Sequence, residues 1–200
     1  AVAAPLPVTI DAQGTGSVGF PVRYPPELLI SSPTGDSLLA VGPGDSPSQT
    51  PYAVFYTGEW SLPGLYSHPF GRRHFGAAWA DGRWTSASLQ GTVSMILTPT
   101  GSSPGPPMLN ITQAGPESFW AVSQEQGIFR QDQGQILPLA SRSQAPGQIA
   151  GDSAGVVAAA GRIVSYYPAL RCAQPAQWTA YGDVVAIGLT PAYIYAIVEV

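Results

Sequence analysis

The sequence predicts an all-β protein, an antiparallel β-sandwich or barrel whose short strands are joined by loops rich in glycine and proline. Glycine and proline number 23 and 21 among 200 residues. The longest stretch without either is 117–126, which is shorter than an average helix of about 11–12 residues. Inside it, Phe119, Trp120, Ala121 and Val122 follow one another instead of recurring at a helical interval, and such an apolar run favours a strand.

Further strands are expected between the breaks. In DVVAIGL, the residues Val185, Ile187 and Leu189 alternate with their neighbours and are predicted to share one face of a strand. In GTVSMILT, Val93, Met95 and Leu97 are likewise predicted to share one face. Other segments are rich in β-branched and aromatic residues, as strands are: YAVFYT, RIVSYY and AYIYAIVEV. The last of these is apolar on both faces, which favours burial on each side. Turns are expected at TGD, GPGD, ADG and QGQ.

Length and composition limit the classes of protein to which the chain can belong. At 200 residues and 44% hydrophobic content, the chain can build one substantial core. The sequence has no apolar run of about 18 residues, so no membrane insertion is expected. Its start, AVAAPLPV, lacks the basic and long apolar regions of a signal peptide. The single cysteine, Cys172, excludes an internal disulfide framework and a cysteine-based zinc site.

The chain has few charged residues, and acidic residues outnumber basic ones. Only 10% of residues are charged, the net charge is −4, and all eight basic residues are arginine. Without a basic stripe, nucleic-acid binding is not expected. A surface dominated by uncharged polar residues suits a protein outside a cell or on a particle. A compositional bias that favours arginine over lysine explains the same observation equally well.

The segment Gly151–Gly155, GDSAG, fits the G-x-S-x-G pattern of a hydrolase nucleophile. Both histidines, His68 and His74, precede Ser153, whereas the α/β-hydrolase order places the histidine after the serine. In the chymotrypsin-like order, Asp81 or Asp132 would orient the histidine, but Asp81 follows His74 almost at once. We therefore expect a turn, no catalytic residues and no enzymatic activity, and keep a serine hydrolase using Ser153 as the third hypothesis.

The first part of the chain suggests a repeat. In residues 5–20, a short alternating strand, a glycine turn and a second alternating strand succeed one another, and residues 28–44 have a similar rhythm. This pattern resembles the shaft of adenovirus fibres, and the remainder of the chain resembles a fibre head, particularly of the avian viruses. The resemblance implies a shaft-like or extended β segment 1–44, a β-sandwich head 45–200 and a homotrimer. It further implies a virion-surface protein that attaches to a host-cell receptor, either a protein or a glycan.

A segment rich in aromatic residues and arginine, 58–84, is the predicted recognition site, because such side chains are over-represented at binding hot spots. The candidate receptor-binding residues are Trp60, Tyr66, His68, Arg72, Arg73 and His74. The alternative is an ordinary strand–loop–strand with solvated arginines. The two histidines have no nearby cysteine, so neither a metal site nor a cofactor is expected.

The segment 118–139 resembles one β-propeller blade, with strands separated by turns at Gln126-Gly127 and Gln133-Gly134. A propeller would repeat this pattern about every 40 to 50 residues, and no clear recurrence is visible. The alternative function is therefore a secreted, extracellular β-rich binding module or a β-propeller fragment. Asn110-Ile111-Thr112 matches the N-glycosylation acceptor.

Overall fold

The computed structural model describes most of the chain from residue 74 onward and shorter pieces before it. The described residues are 8–10, 16–18, 28–35, 37–42, 52–56, 64–65, 74–88, 94–98, 101–123, 125–140, 147–169 and 175–199. These residues form strands, turns and connections, and no helix occurs among them. Within this part of the chain, accordingly, no helix is long and apolar enough to cross a membrane. The prediction of an all-β, antiparallel protein is confirmed.

The strands form small antiparallel sheets in which each strand pairs with its neighbour in the chain. A hairpin comes first, β1 (Val8–Ile10) and β2 (Gly16–Val18). Sheet 1 comprises β3 (Leu28–Ser31), β4 (Leu38–Gly42), β5 (Tyr52–Tyr56) and β6 (Gly64–Leu65). Sheet 2 comprises β7 (His74–Ala80), β8 (Arg83–Ser88), β9 (Ser94–Thr98) and β10 (Gly101–Gly105).

Two further four-stranded sheets and a hairpin complete the described chain. Sheet 3 comprises β11 (Asn110–Gly115), β12 (Ser118–Ser123), β13 (Gly127–Asp132) and β14 (Gln135–Ala140). Sheet 4 comprises β15 (Gln148–Gly151), β16 (Gly155–Ala160), β17 (Ile163–Pro168) and β18 (Ala176–Thr179). The last pair, called here the C-terminal hairpin, is β19 (Asp183–Leu189) and β20 (Ile194–Glu199).

Successive sheets pack against one another through their first strands. Strand β3 contacts β7, β7 contacts β11, β11 contacts β15 and β15 contacts β19. A new first strand begins about every 40 residues, the period of four-stranded propeller blades. The prediction of a sandwich or barrel is therefore corrected to a propeller-like arrangement of small sheets. The physical reason is that short turns return each strand beside its predecessor, so hydrogen bonding is completed within four strands and burial comes from neighbouring sheets.

Strand β12 shows why the apolar run in ESFWAVSQEQ is needed. Phe119 and Ala121 lie in the core between sheets 2 and 3, whereas Trp120 and Val122 lie in the core between sheets 3 and 4. All six residues of β12 are buried. Because a strand alternates its side chains between two faces, a strand that is covered by a sheet on each face is apolar at nearly every position.

Side-chain amides link neighbouring sheets. The Gln113 amide Nε2 donates to the carbonyl oxygen of Trp79 at 2.8 Å, and its Oε1 accepts from the Trp79 N–H at 2.8 Å, which ties sheet 3 to sheet 2. On the other side, the Asn110 Nδ2 donates to the carbonyl oxygen of Gly147 at 3.1 Å, at the start of sheet 4. These bonds satisfy backbone groups that the first strands leave free at their contacts.

Turn chemistry agrees closely with the sequence. Asp81 and Gly82 both have positive φ, 53° and 69°, in the β7–β8 turn, and Gln133 and Gly134 have 47° and 76° in the β13–β14 turn. Two consecutive residues of positive φ suit the right-handed twist of a hairpin, and glycine adopts that conformation at low cost. The predicted turns at ADG and QGQ are confirmed. The GPGD turn extends outside the described residues.

One strand differs from its predicted pattern. The pairing of β19 with β20 shifts register between Val184 and Ala186. Because of this bulge, Val184, Ile187 and Leu189 pack toward sheet 4, while Val185 is 46% exposed. The prediction that Val185 shares a face with Ile187 and Leu189 is wrong, because Val185 is the extra, unpaired residue of the bulge and the alternation of side chains is interrupted there.

The segment predicted to be shaft-like contains the β1–β2 hairpin, which pairs Val8 with Val18. Strand β4 pairs with β5 from Gly42↔Tyr52 to Leu38↔Tyr56, so sheet 1 includes residues on both sides of the predicted boundary at 44/45. The division into 1–44 and 45–200 stays a prediction.

Candidate functional site

The GDSAG segment forms a tight turn between β15 and β16. The Asp152 N–H donates to the Gly155 carbonyl at 2.9 Å. The Asp152 carboxylate oxygen Oδ1 accepts from the N–H groups of Ala154 at 2.8 Å and Gly155 at 3.1 Å. Aspartate commonly holds turns in this way. Ser153 is exposed at the tip, and this geometry supports its interpretation as a turn residue.

The first glycine of the motif is needed for packing. A Cβ atom at Gly151 would overlap the Trp120 ring, whose Nε1 would lie 3.0 Å away. The Trp120 Nε1 donates to the Asp152 carbonyl at 2.8 Å, and the Arg130 Cζ lies 5.4 Å from the centre of the same ring. The indole of sheet 3 therefore packs on the backbone of this turn in sheet 4. Since only glycine leaves room for it, the pattern arises here without a catalytic requirement.

The carboxylates considered as orienting groups are engaged with arginine. Asp132 lies 3.2 Å from Arg130, and Asp81 lies 3.9 Å from Arg83. The Asp81 N–H donates to Glu117 Oε2 at 2.7 Å. His74 begins β7 opposite Ser88, in a different sheet from Ser153, and its side chain lies outside the described part. The described ion pairs of Asp81 and Asp132 are therefore surface ion pairs.

The predicted recognition segment lies largely outside the described residues. Five of its six candidates are not described: Trp60, Tyr66, His68, Arg72 and Arg73. Of the sixth, His74, only the backbone position in β7 is described. The role of this segment in recognition therefore stays a prediction.

A cleft of about 610 Å³ lies between sheet 4 and the C-terminal hairpin. Apolar side chains of both elements contribute to it: Val164 from β17, Leu189 from β19 and Ile194 from β20. Because the same three residues pack in the core between the two elements, they form an apolar floor. The size falls within the range of about 300–1,000 Å³ that small-molecule sites occupy.

Three aromatic residues line the cleft. Tyr166 comes from β17, Trp178 from β18 and Tyr193 from the turn before β20. Trp178 is 50% exposed and Tyr193 is 66% exposed. Within the described structure, none of these rings contacts another, and Tyr193 instead contacts Tyr195 at 6.0 Å between centroids. The three side chains therefore line the cleft without stacking on one another.

The polar groups of the cleft are few and carry one negative charge. Asp152, Thr179 and Thr190 are among the lining residues, and no histidine, cysteine, lysine or arginine of the described chain is. Asp152 Oδ1 is occupied by the turn, whereas no described residue hydrogen-bonds to its second oxygen, Oδ2. The Tyr166 hydroxyl lies 3.4 Å from the Ala154 carbonyl, a long hydrogen bond. The cleft thus combines aromatic surface, hydroxyl groups and one carboxylate.

The turn that carries Tyr193 is fixed by hydrogen bonds between Thr190 and Tyr193. The Thr190 N–H donates to the Tyr193 carbonyl at 2.9 Å, and the Tyr193 N–H donates to Thr190 Oγ1 at 3.1 Å. Pro191 restricts the backbone between them. A preorganised wall of this kind lowers the entropic cost of ligand binding.

No sequence motif predicted this cleft. Its residues come from a turn, two strands of sheet 4 and a hairpin, so no local pattern joins Asp152 to Trp178 or Tyr193. One signal was present: Trp178 stands between Gln177 and Thr179 in a short strand, all four residues of which are exposed. A tryptophan in a polar edge strand indicates a surface role.

Metal binding and glycosylation are the two other functions that the sequence raised. No group of three or more histidine, cysteine, aspartate or glutamate residues close enough to hold a metal ion occurs among the described residues. Asn110, the predicted glycosylation acceptor, is 5% exposed, and its amide bonds to Gly147 across the sheet contact. The acceptor motif here therefore has a structural role in the folded protein.

Comparisons with known proteins identify the fold. No family model matches the sequence, and no curated protein matches it. A structure of streptogramin B lyase is similar over 98% of this chain and 70% of the lyase chain, with a TM-score of 0.63 and 12% identity. Apo AztD from Citrobacter koseri is similar over 98% of this chain and 73% of its own, with a TM-score of 0.55 and 11% identity.

These neighbours overturn the resemblance to adenovirus fibres. The streptogramin B lyase is a β-propeller, and no family model or curated protein supports a fibre head. The fibre-head identification and the viral attachment role that it implied are therefore wrong. Alternating strands with glycine turns occur in many β-proteins, and they do not specify how sheets pack. At the level of fold, the chain is a β-propeller-like protein.

Proposed function

We propose that this chain is a non-catalytic binding module on a propeller-like fold, and that its ligand occupies the cleft between sheet 4 and the C-terminal hairpin. The observation that carries the proposal is the position of Trp178. Its side chain is half exposed in a strand whose four residues are all exposed, yet it lines a cleft with an apolar floor. Apolar pockets with a few convergent polar groups are the usual form of a ligand site.

The energetics support a ligand at this position. Full burial of a large apolar side chain stabilises it by about 1.5–3 kcal/mol relative to exposure. Trp178 and Tyr193 forgo part of that gain in the folded chain, since they are 50% and 66% exposed. A ligand that covers both rings recovers it on binding. Exposed aromatic residues around a concave surface therefore supply binding energy that the fold itself does not use.

The chemistry of the cleft supports binding and not catalysis. General acid–base catalysis needs groups that exchange protons with the substrate, and nucleophilic catalysis needs an activated nucleophile. The described lining residues include a single carboxylate, Asp152, and no histidine, cysteine or lysine. One oxygen of that carboxylate is already used by its turn. Ser153 is not among the lining residues.

A fragment screen tests the proposed function. Saturation-transfer NMR with a library of small aromatic, polar and charged fragments is expected to yield ligands that bind the wild-type chain and are lost with Trp178→Ala. Tyr181→Ala is the matched control, because Tyr181 is an exposed aromatic residue at 74% that does not line the cleft. Fragments that bind both variants equally, or no binding fragment, would refute the assignment of the cleft.

The non-catalytic part of the proposal has its own test. An organophosphonate probe is expected to leave Ser153 unlabelled, because the described structure places no histidine beside it: His74 begins β7, in another sheet. Rapid labelling that His74→Ala abolishes would instead establish a serine hydrolase.

We also propose that the module acts outside the cell. The low content of charged residues, 10%, with a net charge of −4, suits a surface that depends little on long-range fields. Fractionation of a producing culture, with the chain recovered among intracellular proteins only, would contradict this location.

A further inference from the structure

Resting on the proposed binding function, we propose that the cleft takes a neutral saccharide. The class of ligand is indicated by the charges, the rings and the hydroxyl groups that line the cleft.

Charge disfavours an anionic ligand. The only charged residue among the described lining residues is Asp152, and the chain as a whole carries a net charge of −4. Arg162 is nearby in sequence to β17, but its Nε donates to the Ala180 carbonyl at 3.1 Å and the residue does not line the cleft. A sialylated, sulfated or phosphorylated group would meet a carboxylate with no compensating cation from the described residues.

The exposure of the rings disfavours an organic cation. A cation over a ring face gains most where both are removed from water, and much less at a ring that stays exposed. Trp178 and Tyr193 line the cleft and are 50% and 66% exposed. Such rings suit a ligand that covers them with an apolar face of its own better than a compact cation.

The polar groups disfavour a purely apolar ligand. Such a ligand would strip water from the carboxylate of Asp152 and from the hydroxyls of Thr179 and Tyr166 without replacing the lost hydrogen bonds, which is costly. A sugar ring offers an apolar C–H face on one side and hydroxyl groups at its edge. It can stack on Trp178 while its hydroxyls donate to Asp152 Oδ2 in charge-assisted hydrogen bonds.

A glycan array followed by calorimetry tests the ligand class with the full chain. The array carries neutral, sialylated and sulfated glycans, and tetramethylammonium chloride is titrated separately as the cationic probe. We expect binding to neutral glycans only. For the best of them, Trp178→Ala is expected to weaken binding at least tenfold and Trp178→Phe less, because phenylalanine retains a stacking face. Tyr181→Ala is expected to leave binding unchanged.

The Asp152→Asn variant tests the charge of Asp152 apart from its role in the turn. The asparagine Oδ1 can still accept the N–H groups of Ala154 and Gly155, so the turn is kept while the charge is removed. We expect binding of the neutral glycan to fall about fivefold or more, with an unchanged melting temperature. Binding that is unaffected by both Trp178→Ala and Asp152→Asn would place the sugar elsewhere and overturn the proposal.

The failure of the ligand class and the failure of the site are distinguishable. If tetramethylammonium or a sialylated glycan binds in a manner that depends on Trp178, while no neutral glycan binds, the saccharide assignment is wrong and the binding function stands. If neither the fragments nor any glycan binds at Trp178, both proposals are wrong.

Discussion

Replacing Gly151 with alanine tests whether the glycine of GDSAG serves packing or catalysis. The added Cβ would overlap the Trp120 ring and approach the Gly155 carbonyl to 3.1 Å. Trp120 is 1% exposed and is held between Arg130 and the turn, so its ring has little room to move. We therefore expect the indole to shift or the turn to open.

The magnitude is the sum of two contributions. Inserting a methyl group into a packed core costs about 1–3 kcal/mol. Loss of the hydrogen bond from Trp120 Nε1 to the Asp152 carbonyl, 2.8 Å in the native structure, costs about 0.5–1.5 kcal/mol more. The free energy of unfolding is thus expected to fall by roughly 1.5–4.5 kcal/mol. For a chain of this size, that corresponds to a decrease in Tm of about 3–18 °C.

Urea denaturation followed by tryptophan fluorescence measures the effect, and the chain supplies a matched control. A Cβ at Gly147 would meet nothing within 4 Å, so Gly147→Ala is expected to change stability by no more than about 0.5 kcal/mol. A double-mutant cycle of Gly151→Ala with Trp120→Phe should show coupling between the two sites. If Gly151→Ala is as stable as Gly147→Ala, or if the cycle is additive, the packing explanation is refuted.

Three further predictions concern the links between sheets and the assembly of the chain. Gln113→Ala should lower the free energy of unfolding by about 2–4 kcal/mol, because it leaves both backbone groups of Trp79 without their partner. Urea denaturation checks this prediction. A change below about 0.5 kcal/mol, which is typical of a neutral surface substitution, would contradict it. Asn110 should carry no glycan when the folded chain is produced in a glycosylating host, and intact-mass spectrometry would reveal an occupied site. Sedimentation at micromolar concentration separates a single 20.8 kDa species, expected for a module that acts alone, from the homotrimer that the shaft-like pattern predicts.

Local structure was predictable because its causes are local. The turns at Asp81-Gly82 and Gln133-Gly134 were expected from residue types that tolerate positive φ, and the strands of 118–139 were expected in their observed order. The same segment resembled a propeller blade, which the structure supports. The recurrence of that blade was not visible, because each sheet needs only apolar side chains at buried positions and short turns, and many sequences satisfy that need.

The packing of sheets and the cleft depend on residues far apart in sequence. A one-residue bulge in β19 turned Val185 outward, and strand alternation alone contains no signal for it. The cleft joins Asp152 to Tyr193 across most of sheet 4 and the C-terminal hairpin, so its existence depends on the sheet order. The fibre resemblance failed for a related reason, since alternation predicts a strand but not its neighbours.

The serial packing of the sheets has a consequence for local opening rates. Sheet 3 is covered on both faces, whereas the C-terminal hairpin packs on sheet 4 through one face and leaves Tyr195 and Ile197 55% and 65% exposed on the other. Amide protons of β12 should therefore exchange with solvent only in the rarest openings, and those of β20 in frequent local ones. Because the hairpin forms one wall of the cleft, occupation of the cleft should slow exchange in β19 and β20 as ligand saturation rises. Hydrogen exchange in this hairpin would then report binding directly.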